Sequence, residues 1–158
     1  MTITIPSYKR SGKVTTLNFL GDAFTKDEVI IGTQTEDDYQ AYSEAYGERA
    51  TVIYKEGHSC GDNRNNLLEW CHEHEIKETI QLDDDIKYIV TMYKQKLFGS
   101  EFRNLMERCF DVCREKNVVM FGGYCCENPL MMSKTAKSNI IVGMLCAILD
   151  TSIRFDNR

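Results

Sequence analysis

The chain has 158 residues, is 42% apolar and 27% charged, and carries 19 Lys and Arg against 24 Asp and Glu. That composition excludes a disordered or fibrous chain and leaves room for one domain spanning residues 1–158. A formal charge of −5 gives no support to a surface that coats DNA or membrane by basic excess, although a local basic groove is compatible with it.

Thr2–Pro6 (TITIP) is a β-branched run that Pro6 stops, and it reads as the first strand. After the loop SYKRSGK, Leu17, Leu20 and Phe24 are spaced to face a core, which predicts a helix over Thr15–Phe24. Glu28–Gly32 reads as a buried strand. Thr35 then caps a helix whose first turn is acidic, where the helix dipole favours carboxylates. Tyr39, Tyr42 and Tyr46 mark its packed side, Gly47 ends it, and Ala50–Tyr54 is the third strand. The polar loop KEGHSCGD leads into a helix over Asn63–His74, with Asp62 as its expected cap. Glu78–Leu82 is the fourth strand and runs directly into Asp83, Asp84 and Asp85.

In Glu101–Lys116, residues Phe102, Leu105, Met106, Cys109, Phe110 and Cys113 follow the spacing of one buried helical face. Val118–Phe121 is the fifth strand, and Ile140–Leu149 is also strand material. Strands alternating with helices predict an α/β fold with a mainly parallel central sheet and helices on both faces. In such sheets ligands bind beyond the carboxyl ends of the strands. Three of those loops are chemically rich: SYKR, GHSCGDNRN and DDD.

No apolar run approaches the roughly 18 residues of a membrane helix, so no membrane association is expected. The first residues have no basic stretch before an apolar one, so no signal peptide is expected. Seven cysteines, an odd count without a secretory signal, fit reduced thiols in cytoplasm. His58, Cys60, Cys71, His72 and His74 have spacings that match no standard zinc pattern.

The acidic triplet is the most pointed feature. In extended geometry Asp83 and Asp85 share one side and Asp84 takes the other. Two such charges about 7 Å apart repel by about 2 kcal/mol at an effective dielectric of 20. A divalent cation reverses that cost, and oxygen-only ligands select Mg²⁺ or Mn²⁺, which keep waters and take substrate phosphate oxygens. The alternative is a solvated acidic turn. An EF-hand loop starting at Asp83 fails because Lys87 and Tyr88 stand where a ligand and a glycine are needed. An aspartyl-phosphate chemistry with Asp83 as nucleophile stays open as a competitor.

The ordered blocks ITIPSYKR, VIIG, VIYKEGHSCGDNRNNLLEW and IQLDDDI resemble the nucleotide-sugar-binding half of a GT-A glycosyltransferase. They look most like the phage and protist glycosyltransferases associated with TET/JBP-type DNA-base dioxygenases. The likeness is best over residues 2–90. It implies a Rossmann-like core and a metal-dependent transferase moving a sugar from a nucleotide diphosphate, UDP-sugar favoured, to an acceptor hydroxyl. A hydroxymethylated DNA base is the implied acceptor, and the cytoplasm, of a host if phage-encoded, the implied location.

By the same resemblance Pro6, Ser7, Tyr8 and Arg10 line the nucleoside pocket, with Tyr8 placed to stack on a base and Arg10 to meet a phosphate. Gly61, Arg64 and Asn65 approximate the family's Gly-x-x-x-Arg-Asn stretch at a helix start suited to an anion or sugar hydroxyls. Asp83 and Asp85 take the Asp-x-Asp role as ligands of Mn²⁺ or Mg²⁺, and Asp84 touches ribose or sugar. An inverting enzyme also needs a carboxylate base, which the family carries beyond its fifth strand. Here Glu127 and Asp156 are the candidates near that region, and residues 91–158 are expected to form an incomplete acceptor-side half. Two readings stay beside the transferase: a non-catalytic nucleotide-sugar-binding module of the same fold, and the phosphotransferase.

Overall fold

The structure is a computed structural model that describes residues 1–91, 93–123 and 145–155. Its main sheet has six strands: β1 (Thr2–Pro6), β2 (Val29–Thr33), β3 (Thr51–Tyr54), β4 (Thr79–Leu82), β7 (Met120–Gly122) and β8 (Leu145–Ile148). A separate hairpin is formed by β5 (Ile89–Val90) and β6 (Lys96–Leu97). The helices are α1 (Thr16–Leu20), α2 (Glu36–Tyr46), α3 (Cys60–Glu73) and α4 (Gly99–Glu115).

The sheet order is β3-β2-β1-β4-β8-β7. The first four strands are mutually parallel, and β8 runs antiparallel to both β4 and β7. The expected mainly parallel α/β sheet is therefore present, with one reversed strand in its interior. Successive strands step from β1 to β2 to β3 on one side. The chain then returns across β1 to lay β4 on the other. That reversal opens a crevice beyond the carboxyl ends of β1 and β4, where doubly wound sheets bind ligands.

Strand β1 shows how sequence alternation divides the two faces. Ile3 and Ile5 join the core cluster of Ile31, Ile80, Leu82, Ala147, Phe19, Phe102 and Phe110, beneath α1, α2 and α4. Thr4 points to the other face, where its hydroxyl meets that of Thr79 at 3.3 Å. Gln81 on the same face donates to the carbonyl of Arg64 in α3 at 2.9 Å. Helix α3 covers this face with Leu68 against Cys146 and Ile148. It also approaches β2 closely, since a Cβ at Gly32 would lie 2.4 Å from Asn63 Oδ1 and 2.8 Å from Leu67 Cγ. Glycine at this position lets α3 sit near the sheet.

Several boundaries differ from the sequence expectations. The first helix is one and a half turns rather than a span to Phe24, because Gly21 adopts φ +55° and hands the chain to short 3-10 turns. Helix α3 starts earlier than Asn63, and its cap is Ser59 rather than Asp62. The Ser59 hydroxyl accepts from the Asp62 amide at 3.0 Å, and the Asp62 carboxylate turns back to accept from the His58 amide at 2.9 Å. The fifth sequence strand is an edge strand shifted to Met120–Gly122. Of the Ile140–Leu149 segment, Leu145–Ile148 forms the buried strand β8. The hairpin β5–β6 has no counterpart in the expectations, being only two residues a side. No helix among the described residues is long and apolar enough to cross a membrane.

The helical face predicted for α4 is the observed one: Phe102, Met106, Phe110 and Cys113 are buried. Phe102 is fully enclosed, with ring centroids 4.9 Å from Phe19 and 6.2 Å from Phe24. Phe102→Ala should lower stability by about 3–5 kcal/mol, because this rigid aromatic cluster cannot collapse into the cavity. Equilibrium urea unfolding measures the loss; a change under 1 kcal/mol would contradict this packing.

Candidate functional site

The crevice at the strand reversal is an open cavity of about 620 Å³. Its walls come from the loop after β1 (Pro6, Ser7, Tyr8, Arg10), the end of β2 (Gln34, Thr35), the turn before α3 (Gly57 to Cys60, with Asn63) and the turn after β4 (Asp83, Asp84, Asp85). Four strand ends thus converge on one cleft.

Its rigid floor is a closed hydrogen-bond circuit. Asp84 is 6% exposed. One carboxylate oxygen accepts from the Ser7 hydroxyl at 2.5 Å and the other from the Arg10 guanidinium at 2.8 Å. The Tyr42 hydroxyl accepts from the Arg10 amide at 2.8 Å and lies 2.7 Å from Ser7 Oγ. Since the Ser7 proton goes to Asp84, the Tyr42 proton goes to Ser7. Arg10 therefore opens the circuit with its backbone and closes it with its side chain. Burial pushes the Tyr42 phenol above its usual range, which keeps that donor protonated.

The aspartate turn is held from behind by α1. The Thr16 hydroxyl donates to the Asp83 carbonyl at 2.6 Å and accepts from the Ile86 amide at 2.9 Å. Strand geometry ends at Leu82, so the triplet is a turn and not an extended run. This corrects the expectation that Asp84 faces away from its neighbours: all three residues line the cleft. Asp84 itself is committed to Ser7 and Arg10 rather than open to a sugar.

Asp83 pairs with the guanidinium of Arg64 from α3, which also donates to the Gln81 side chain on β4 at 3.4 Å. Burial pushes the Asp83 carboxyl up, and Arg64 opposes that shift. Asp85 is the open member; its side chain is 55% exposed and lies 3.5 Å from Arg10. The like-charge cost inferred from sequence is thus already offset by two guanidinium groups, which weakens that argument for a metal. Among the described residues no group of three or more His, Cys, Asp or Glu side chains forms a ready cage. Mg²⁺ and Mn²⁺ need less than a cage from protein, since one or two carboxylates plus substrate phosphate suffice. Asp83 and Asp85, on one turn at the cleft wall, fit that donor set.

The remaining expected site residues divide. Tyr8 is half exposed at the cleft rim. Gly61 lies in the first turn of α3, one residue beyond the lining Cys60. Asn65 is not on the cleft wall: its side chain brackets Phe155, donating to the carbonyl at 2.9 Å and accepting from the amide at 2.7 Å. It helps dock the 153–155 segment, and it also lines an adjoining pocket that shares Gly57 and His58 with the cleft. Glu127 and Asp156 lie outside the described residues.

Sequence reasoning picked out the loop that holds Gly57, His58 and Asn63 without giving these three a role in the cleft, and it missed Gln34. Gln34 donates to the Ser59 carbonyl at 2.9 Å and ties the β2 end to the α3 start. Asn63, 2% exposed, donates to the carbonyls of Gly32 at 2.9 Å and Ser7 at 3.3 Å. A signal for Asn63 was present: it shares the i, i+4, i+8 stripe with buried Leu67 and Cys71, and a polar side chain on an apolar stripe needs a reason. The tyrosine stripe was expected to be packing. Tyr42 and Tyr46 are packed, but their hydroxyls also hold the first loop, Tyr46 accepting from the Val14 amide at 3.1 Å.

A model of the family described as TET-Associated Glycosyltransferase matches residues 1–157. Among curated proteins none matches the chain in sequence. Among solved structures, a cytidylyltransferase from Leptospira borgpetersenii serovar Hardjo-bovis (strain JB197) is similar in fold, with a TM-score of 0.53 at 19% identity. The alignment covers 96% of this chain and 60% of that one, so the chain spans about three-fifths of that protein's length.

Two measurements check this geometry. Tyr42→Phe keeps the buried ring but strands the Arg10 amide and a Ser7 lone pair, so it should cost about 1–3 kcal/mol in urea unfolding. Burial raises the thiols of Cys71 and Cys146 to about 11, whereas Cys60 is exposed on the cleft wall. Iodoacetamide at neutral pH, followed by peptide mass mapping, should therefore modify Cys60 well before Cys71 or Cys146.

Proposed function

The chain belongs to the TET-Associated Glycosyltransferase family, and on that premise we propose that its cleft binds a nucleotide-diphosphate sugar and transfers the sugar to a hydroxyl of a modified DNA base. The observation that carries this reading is the convergence of the β1 loop, the α3 start and the aspartate turn on one open cavity at the strand reversal.

The chemistry asks for three things, and the described residues offer groups for two. The donor must be oriented: Tyr8 offers an exposed ring for a base to stack on, and Pro6 and Ser7 form the wall beneath it. The bond from the anomeric carbon to the diphosphate must break with negative charge building on the departing oxygen. Arg10, locked in place by Asp84, presents a preorganised cation there, and Ser59 and Cys60 at the start of α3 line the same cavity. Asp83 and Asp85 would hold Mn²⁺ or Mg²⁺, whose chemistry is Lewis-acid stabilisation of that developing charge. The third requirement, a base for the acceptor hydroxyl, falls to Glu127 or Asp156 in this reading.

Thermal-shift measurements test it. With Mn²⁺ present, a UDP-sugar at about 100 times its dissociation constant should stabilise the chain by about 2.7 kcal/mol, raising the melting temperature by several degrees. The shift should vanish in Asp83→Asn/Asp85→Asn. Saturating donor should also slow alkylation of Cys60. A flat response to every nucleotide sugar, with and without metal, removes the donor-binding reading. Sugar transfer by the chain alone separates an enzyme from a binding module.

A further inference from the structure

An acid-free stretch leaves the cleft immediately after the aspartate turn. Residues 86–100 contain Lys87, Lys94 and Lys96 and neither Asp nor Glu, in a chain of net charge −5. The rest of the molecule therefore carries all of the acidic excess, and a polyanion approaching the cleft is repelled by most of the surface. This stretch is the hairpin β5–β6, and its base is firmly rooted. Ile86 and Leu97 are buried, Ile89 packs on the core, and the Phe98 ring stands 6.5 Å from that of Phe19. Ile89 pairs with Leu97 and Val90 with Lys96.

Beyond that base the hairpin projects. The Lys94 amide donates to the Thr91 carbonyl at 2.9 Å, closing a turn in which Lys94 holds φ +62°. The turn holds out Tyr93, 87% exposed, the largest exposure of any large apolar side chain in the described residues. Lys87, Lys94, Gln95 and Lys96 are exposed with it, and the Lys96 ammonium sits 3.9 Å from the centre of the Tyr88 ring. The turn thus presents an aromatic ring and three ammonium groups together to solvent. Its chemistry matches a nucleic-acid strand, where phosphates take the ammonium groups and a base takes the ring. The position matches as well. Eight residues separate Asp85 from Tyr93, so at about 3.3 Å per residue the turn lies within about 26 Å of the cleft's aspartates. A base presented to the cleft leaves its flanking phosphates over that distance.

We propose that the β5–β6 hairpin is the arm that binds the DNA strand carrying the acceptor base, Lys87, Lys94 and Lys96 on phosphates and Tyr93 on a neighbouring unstacked base. This deepens the acceptor part of the proposed function and rests on it for the identity of the strand.

Fluorescence anisotropy of labelled single-stranded and duplex DNA, titrated with the chain at several salt concentrations, tests the arm. For Lys87→Gln/Lys94→Gln/Lys96→Gln, affinity at low salt should fall tenfold or more. The slope of log K against log salt should become shallower by about two for single strands and nearly three for duplex. Tyr93→Ala should weaken single-strand binding at least fivefold and leave the salt slope unchanged. Far-UV circular dichroism and the melting temperature verify folding, and Lys→Arg at the same three positions should restore the slope. The inference is overturned by a wild-type chain that does not bind DNA, by variants that bind like wild type, or by polyglutamate binding as tightly as DNA with the same hairpin dependence. Hairpin-dependent DNA binding without sugar transfer to DNA would instead remove the acceptor reading and leave the arm standing.

Discussion

The site depends on one buried carboxylate. Asp84 sits where the chain leaves β4, and it gathers the Ser7 hydroxyl and the Arg10 guanidinium from the loop after β1. A buried anion is costly unless paired and hydrogen-bonded, and here both of its oxygens are answered. Because Tyr42 on α2 completes the circuit, three separated pieces of sequence are bound to one point. Arg10 is thereby fixed at the cleft wall, where it also meets Asp85 at 3.5 Å. The middle residue of the triplet thus supplies rigidity, while Asp83 pairs with Arg64 and Asp85 stays the most open of the three.

The electrostatics of the cleft follow from that division. Two guanidinium groups, one from the β1 loop and one from α3, face three carboxylates on a single turn. Arg64 is anchored by its own helix and steadied by Gln81, whose amide donates to the Arg64 carbonyl. The polar face of the sheet is therefore not idle: Thr4, Thr79 and Gln81 lie beneath α3, and Gln81 helps set the position of the arginine that meets Asp83. A charged, half-buried wall of this kind suits a substrate that brings both anionic and hydroxyl groups.

Much of the fold was legible because its signals are local. Blocks such as TITIP and EVIIG combine β-branching with turn residues, and α4 carries an unbroken buried stripe. The carboxyl-end rule then directed attention to the loops at Ser7 and Asp83, which do share a cleft. What escaped was carried by tertiary approach. Ser59 and Asp62 stand three apart and either can cap a helix; the choice of Ser59 turns on Asp62 reaching back to His58. The direction of Asp84 was misread because strand alternation was carried past Leu82 through Asp85, into a turn fixed by Thr16 from a distant helix. Asn65 was picked out by motif alone, and its bracket on the backbone of Phe155, ninety residues away, has no local signal.

The place of β8 has a consequence for how the molecule comes together. The last described strand does not add to the rim; it inserts between β4 and β7, which touch no other strand on those sides. During synthesis the first half of the chain can assemble β3, β2, β1 and β4, but it then waits with the outer edge of β4 unpaired until residue 148 has emerged. Closure is therefore a late event with long sequence separation, of the sort that slows folding and leaves a sticky border in the interval. Since Asp83 and its neighbours hang from that same border strand, the cleft gains its final footing only when the sheet is sealed.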